Sequence, residues 1–91
     1  MDTEWDPDKA ATNLRKHGVD FADAVGVFED EYALSREDPD AHGEPRFVII
    51  GIDFLGRMLT CVYTYRGARI RLISARRATR RERASYERRR P

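Results

Sequence analysis

The sequence predicts a small α+β fold with two N-terminal helices, a four-stranded and mainly antiparallel sheet, and a C-terminal helix, in the order ααββββα. Three observations carry that expectation. Helix punctuation and apolar residues at helical spacing occupy the first thirty positions. β-Branched and aromatic runs split by short glycine-bearing connections fill residues 46–75, and a capping box opens the tail. At 91 residues, 41% hydrophobic and 10% aromatic, the chain suits one globular domain spanning 1–91. A domain of this size buries about 60–65% of the surface its unfolded chain exposes, so its core is thin.

Asp6 is placed to cap the first helix and Pro7 suits its first position. Ala10, Ala11 and Leu14 form a narrow apolar stripe, and Gly18 ends the helix after Lys16 and His17, cations that the helix dipole favours there. Asp20 caps a second helix in which Phe21, Ala24, Val25 and Phe28 mark one buried face, ending near Asp30. Trp5 is expected in the core or as an anchor for the N-terminus. Tyr32–Ser35 is a short strand candidate, and Arg36–Pro45, with two prolines and a glycine, reads as an exposed loop.

Three strands follow at Arg46–Asp53, Met58–Tyr65 and Arg69–Ala75. Their connections, holding Gly56 and Gly67, are too short for a crossover helix, so the strands are expected to pair as an antiparallel meander. Simple alternation puts Ile70, Leu72 and Ser74 on one face of the last strand and Arg69, Arg71, Ile73 and Ala75 on the other, with the arginines on an open face. Thr79 and Glu82 make the capping box of the last helix, which is expected to fray after Tyr86. Arg76 and Arg77 fall beside its first-turn amides, a phosphate seat by expectation.

The formal net charge of +1 conceals a segregation. Residues 1–44 hold 4 Lys and Arg against 13 Asp and Glu, a net of −9, and residues 45–91 hold 13 Arg against 3 acids, a net of +10. Arginine grips phosphate or carboxylate through two parallel hydrogen bonds, so nucleic acid or an acidic protein is the implied partner. Cys61 has no cysteine to pair with and lies in an apolar run, which favours a reducing compartment. No stretch approaches the ~18 apolar residues of a membrane span, and Asp2 and Glu4 stand where a signal peptide would carry positive charge. A cytoplasmic protein away from membranes is expected.

The run Glu4-Trp5-Asp6-Pro7, then Lys9, Asn13, Lys16-His17-Gly18, Phe21, Ala24 and Val27-Phe28, resembles the opening of the BrnT family of toxins. Ile73-Ser74-Ala75-Arg76-Arg77-Ala78-Thr79-Arg80-Arg81-Glu82-Arg83 with Tyr86 resembles its ending, and Gly43-Glu44 and Arg46-Phe47 lie between. The resemblance covers nearly the whole chain. It implies a RelE-like ribonuclease fold, RNA degradation without a metal or other cofactor, and inhibition by a small BrnA-type antitoxin that also binds operator DNA.

RNA can be cut by its own 2′-hydroxyl if one group removes that proton, another protonates the leaving oxygen and cations stabilise the phosphate. His17 is the natural proton carrier, with Lys16, Arg46 and Arg76 as electrostatic partners in the catalytic set. The plainer reading of Lys16 and His17 is charge complementing a helix end. Arg69, Arg71, Arg77, Arg80, Arg81 and Tyr86 make up the expected RNA-binding set. The plainer reading of these arginines and of Arg76 is a solvated face or salt bridges to the acidic half, although surface ion pairs stabilise by only about 0–1 kcal/mol each. Glu82 and Tyr86 could serve at the site, yet a helical tyrosine more often packs its ring on the sheet. Asp38, Asp40, His42 and Glu44 alternate as metal ligands can, but an acidic loop with proline is ordinarily solvated, and no metal site is expected. The rival function is a binding module without catalysis, gripping RNA or an acidic protein.

Overall fold

The computed structural model describes residues 2–91. Its strands are Thr3–Glu4 (β1), Leu34–Glu37 (β2), Phe47–Ile52 (β3), Met58–Arg66 (β4) and Arg69–Arg77 (β5). Its helices are Pro7–His17 (α1), Phe21–Ala24 (α2) and Arg80–Arg89 (α3), with a 3₁₀ turn at Val25–Glu29. The strands form one sheet in the order β1-β5-β4-β3-β2. The α+β class and the antiparallel meander of β3 to β5 are as expected, and β2 adds to it antiparallel to β3. The four-stranded sheet is corrected to five, because β1 lies parallel to β5, pairing Thr3 with Ile70 and Glu4 with Arg71. Two residues carry no periodicity from which a strand could be read.

The second helix is also corrected. Four α-helical residues give way to the 3₁₀ turn at Val25, where Gly26 presses against the β3–β4 connection so closely that a Cβ there would stand 2.4 Å from the Phe54 backbone nitrogen. The Phe54 N–H donates to the Asp23 carbonyl at 3.2 Å, which fixes that approach. β2 begins two residues later than expected, since Tyr32 sits in a turn whose amide donates to Asp30 at 2.9 Å.

One face of the sheet, with Ile49, Leu59, Cys61, Tyr63, Ile70, Leu72 and Ala75, packs on Val19, Phe21, Ala24 and Val27 to make the main core. Trp5 packs there too, edge-on to Phe21. Burial pushes the Cys61 thiol up to about 12, aided by the negative charge of Asp53, so it is a packed and unreactive group. On the other face Ile50 and Met58 pack with Tyr86 of α3. Of the stripe expected on α1, Ala10 joins the core while Ala11 and Leu14 are exposed, and the helix buries Asn13 instead.

A β-bulge reverses the expected parity of β5. Val62 pairs with Ser74 but Tyr63 pairs with Leu72, leaving Ile73 as an extra residue. Beyond it Ala75 enters the core with Ile70 and Leu72, and Ser74 and Arg76 fall on the face that carries Arg71. The simple alternation expected the opposite for Ser74 and Ala75.

Candidate functional site

Asp6 caps α1 through its side chain, which accepts from the Asp8 amide at 2.8 Å. The helix ends at Gly18, whose φ of 69° closes the turn and lets its amide donate to the Leu14 carbonyl. Arg15, Lys16 and His17 fill the last turn. What places that turn is Asn13, 5% exposed. Its amide nitrogen donates to the carbonyls of Val19 at 3.0 Å and Ala75 at 2.8 Å, and its oxygen accepts from the Ala75 amide at 3.0 Å. The carboxamide therefore pairs with the outer edge of β5 as a neighbouring strand would, beyond the short reach of β1. At the other side Arg57, held by two hydrogen bonds to Asp53, reaches the Gly18 carbonyl at 3.4 Å.

These ties leave a cleft of about 300 Å³ between α1 and β5, lined by Asp8, Lys9, Thr12, Asn13, Lys16, His17, Ile73 and Ser74. Lys16 and His17 thus face the bulge in β5. The Asn13–Ala75 pairing is what sets the end of the first helix beside the last strand. Ser74 is shared ground, lining the cleft and preceding Arg76 by two residues on one strand face, about 6–7 Å along the strand. Among the described residues no hydrogen bond or ion pair joins Lys16 or His17 to Arg46 or Arg76.

Arg76 is engaged by Glu82. Its guanidinium donates to Glu82 Oε1 at 2.7 Å and Oε2 at 2.9 Å, and Glu82 also accepts from Thr60 Oγ1 at 2.9 Å and the Thr79 amide at 2.8 Å. The Arg76 hydrogen bonds, opposed by partial burial, hold the Glu82 carboxyl down at about 2, and the same pair raises Arg76 above its ordinary value. The capping box is as expected. At the place expected to seat a phosphate, the chain's own Glu82 carboxylate accepts from Arg76 and the Thr79 amide, so a phosphate reaching Arg76 has to share or displace that pair.

The remaining arginines divide by environment. Arg71 donates to Glu4 at 2.7 Å and Arg69 lies 4.0 Å from it, so β1 brings an acid onto the face where both arginines were expected to be open. Arg46 immediately precedes β3, and its Nε is buried without a hydrogen-bond partner. Arg77, Arg80 and Arg81 are exposed and carry no ion pair among the described residues. Arg36, read from sequence as the first residue of a loop, is in β2 opposite Val48, on the same face as Arg76.

Tyr86, expected among the RNA-contacting residues, is 1% exposed and donates its hydroxyl to Asp30 at 2.7 Å. Burial and the negative Asp30 raise it to about 12, and a ring so enclosed cannot stack on a base. For Asp30, burial works to raise the carboxyl, but hydrogen bonds from Tyr86, Ile52 and Tyr32 outweigh it and hold the group below its usual range. Among the described residues no group of three or more His, Cys, Asp and Glu side chains is placed to hold a metal ion. No helix among them is long and apolar enough to cross a membrane.

A five-stranded mixed sheet carrying a basic face, with a helix-end Lys-His pair at its edge, has the ingredients of a protein that acts on a phosphodiester. The family model described as "Ribonuclease toxin, BrnT, of type II toxin-antitoxin system" matches residues 5–82, and the chain belongs to this family. Its structure is similar to the crystal structure of the Brucella abortus ribonuclease toxin BrnT, with 26% sequence identity and a TM-score of 0.64 over 88% of this chain and 99% of that one. No curated protein matches the sequence. Membership makes RNA the substrate class and a protein antitoxin the partner class.

Proposed function

We propose that residues 1–91 act as one RelE-like ribonuclease toxin domain that cuts cytoplasmic RNA without a metal. The observation that carries this reading is the α1–β5 cleft, where Lys16 and His17 face Ser74, one strand repeat from Arg76. In this reading His17 takes the proton of the 2′-hydroxyl. The 2′-oxygen then forms a bond to phosphorus as the bond from phosphorus to the 5′-oxygen breaks, and that oxygen collects a proton. Lys16, Arg46 and Arg76 stabilise the charge gathering on the phosphate, while Arg69, Arg71, Arg77, Arg80 and Arg81 contact the RNA backbone. A BrnA-type antitoxin with an acidic or amphipathic segment would cover this basic face and bind operator DNA through its own surface.

The ion pairs of Arg76 with Glu82 and Arg71 with Glu4 favour a second reading, a module that binds RNA or an acidic protein without cutting. Purified protein incubated with RNA in excess chelator separates the two. Cleavage that leaves a 2′,3′-cyclic phosphate and a 5′-hydroxyl is the expected result. Activity abolished by chelator and restored by Mg²⁺ or Mn²⁺ would refute the mechanism, and binding without cleavage would establish the second reading.

A further inference from the structure

We propose that Arg36, an arginine from the acidic half of the chain, is a phosphate-binding residue for a single RNA strand that crosses the open sheet face from β5 to β2. The proposal rests on the ribonuclease reading and extends its site by about one sheet width. Its basis is the register. Arg36 pairs with Val48, Val48 with Val62, and Val62 with Ser74, so these four residues form one straight row across β2, β3, β4 and β5 on the face away from the main core. One end of the row, Ser74, opens into the cleft with Lys16 and His17.

The flanking rows differ from it. On one side Ile50 and Thr60 lie under Tyr86 and Glu82 of α3. On the other, Thr64 and Arg71 lead to Glu4. The row between them carries no acid, and its valines are only partly buried although they stand mid-sheet. Arg36 is exposed and carries no ion pair among the described residues, and Glu37 beside it pairs with Phe47 on the opposite face. The path is therefore low, uncharged and ended by cations on both sides, which suits a polyanionic strand passing over it.

Three strand spacings of about 4.8 Å separate Ser74 from Arg36, about 14 Å in all. That is the rise of about four stacked nucleotides at ~3.4 Å each. A dinucleotide with one phosphate cannot engage the cleft and Arg36 together, and a longer RNA can. The contribution of Arg36 should therefore depend on substrate length, which a general effect on the fold would not.

The test compares the full chain with its Arg36→Ala and Arg36→Lys variants on a 12-nucleotide RNA and on a dinucleoside monophosphate containing the step at which the parent cuts. Thermal melting confirms equal folding. For the 12-mer, Arg36→Ala should raise KM about tenfold at low salt with kcat little changed, and flatten the log–log salt dependence by about 0.7. Arg36→Lys should recover much of this, because a phosphate contact can be kept by a point charge. The preference for 12-mer over dinucleotide, as a ratio of kcat/KM, should fall about tenfold in Arg36→Ala. An unchanged ratio overturns the proposal, as does a loss confined to kcat. If RNA kinetics are unaffected while affinity for an acidic antitoxin segment drops, the row is a protein-docking surface and the proposal also fails. Failure of the ribonuclease reading would show differently, as a parent that binds the 12-mer without cutting it. Arg36 is then judged on 12-mer affinity alone, where a tenfold loss supports the contact and no loss overturns it.

Discussion

Replacing Asn13 by alanine should be among the most damaging changes available outside the apolar core. The side chain is 5% exposed and satisfies three backbone groups, the Val19 and Ala75 carbonyls and the Ala75 amide. Truncation strands all three, and leaving a buried polar group unpaired costs about 1–3 kcal/mol, although water entering the α1–β5 cleft can re-solvate some of them. Taking about one such penalty in full, with a further ~1 kcal/mol for lost packing, the expected loss is about 3 kcal/mol. A chain of this length has only about 5–14 kcal/mol of total stability, and the midpoint of thermal unfolding should fall by roughly 12–24 °C. Urea unfolding followed by circular dichroism measures it. Asn13→Asp makes a sharper companion. It keeps the acceptor for the Ala75 amide but sets a carboxylate against two carbonyl oxygens, so its folded-state pKa should be raised and its deficit should shrink as pH falls. A loss below ~1 kcal/mol in Asn13→Ala with an unchanged denaturant slope would refute the view that this carboxamide ties the helix to the strand edge.

Gly26→Ala places a Cβ 2.4 Å from the Phe54 backbone nitrogen and should cost about 2–3 kcal/mol, read from the denaturant midpoint; a change within ~0.5 kcal/mol would mean the β3–β4 connection can step aside. The Glu82 carboxyl, held at about 2 against an ordinary 4.5, contributes stability that is present above the ordinary value and is lost as pH falls from about 5 to 2. The full shift corresponds to about 3 kcal/mol, which solvent around the half-open Arg76 reduces to about 1–2; Glu82→Gln should flatten that limb of the pH–stability curve, and an unaltered limb would assign it to other carboxylates. His17→Ala and Arg76→Ala should each lower the chemical step about 10²-fold with little change in RNA affinity, whereas Arg80→Ala or Arg81→Ala should weaken binding in a salt-dependent way. A folded His17→Ala protein that cuts RNA at the parent rate would make His17 a helix-end cation only.

Elements with local signals were legible in the sequence. α1 was bounded by Asp6-Pro7 and Gly18, α3 by the Thr79–Glu82 box, and the three long strands by their β-branched runs and turn glycines. What escaped depends on contacts between distant segments. β1 exists because the exposed edge of β5 accepts two residues from the N-terminus. The 3₁₀ turn exists because Gly26 meets the β3–β4 connection, a meeting that helical periodicity in Phe21, Ala24, Val25 and Phe28 cannot report. Nothing local marks Asn13 for burial, and only the bare edge of β5 makes it the buried one.

The site shows the same division in its charges. Counting along the chain separates an acidic half from a basic half, but the sheet order interleaves them. β1 carries Glu4 to Arg71 across 67 residues, and β2 carries Arg36 to the row that begins at Ser74. Charge segregated in sequence is therefore not segregated in space, and the number of arginines says little about which stand against a carboxylate of the same chain. Register decides that. It sets Arg71 beside Glu4 and Arg76 within reach of Glu82, while Arg36, at the end of an acid-free row, has no ion pair among the described residues. The β5 bulge decides the rest, since if β5 ran through Ile73 with regular alternation the side chains of Ser74 and Arg76 would point into the main core and the cleft that holds Lys16 and His17 would have no continuity with the open face.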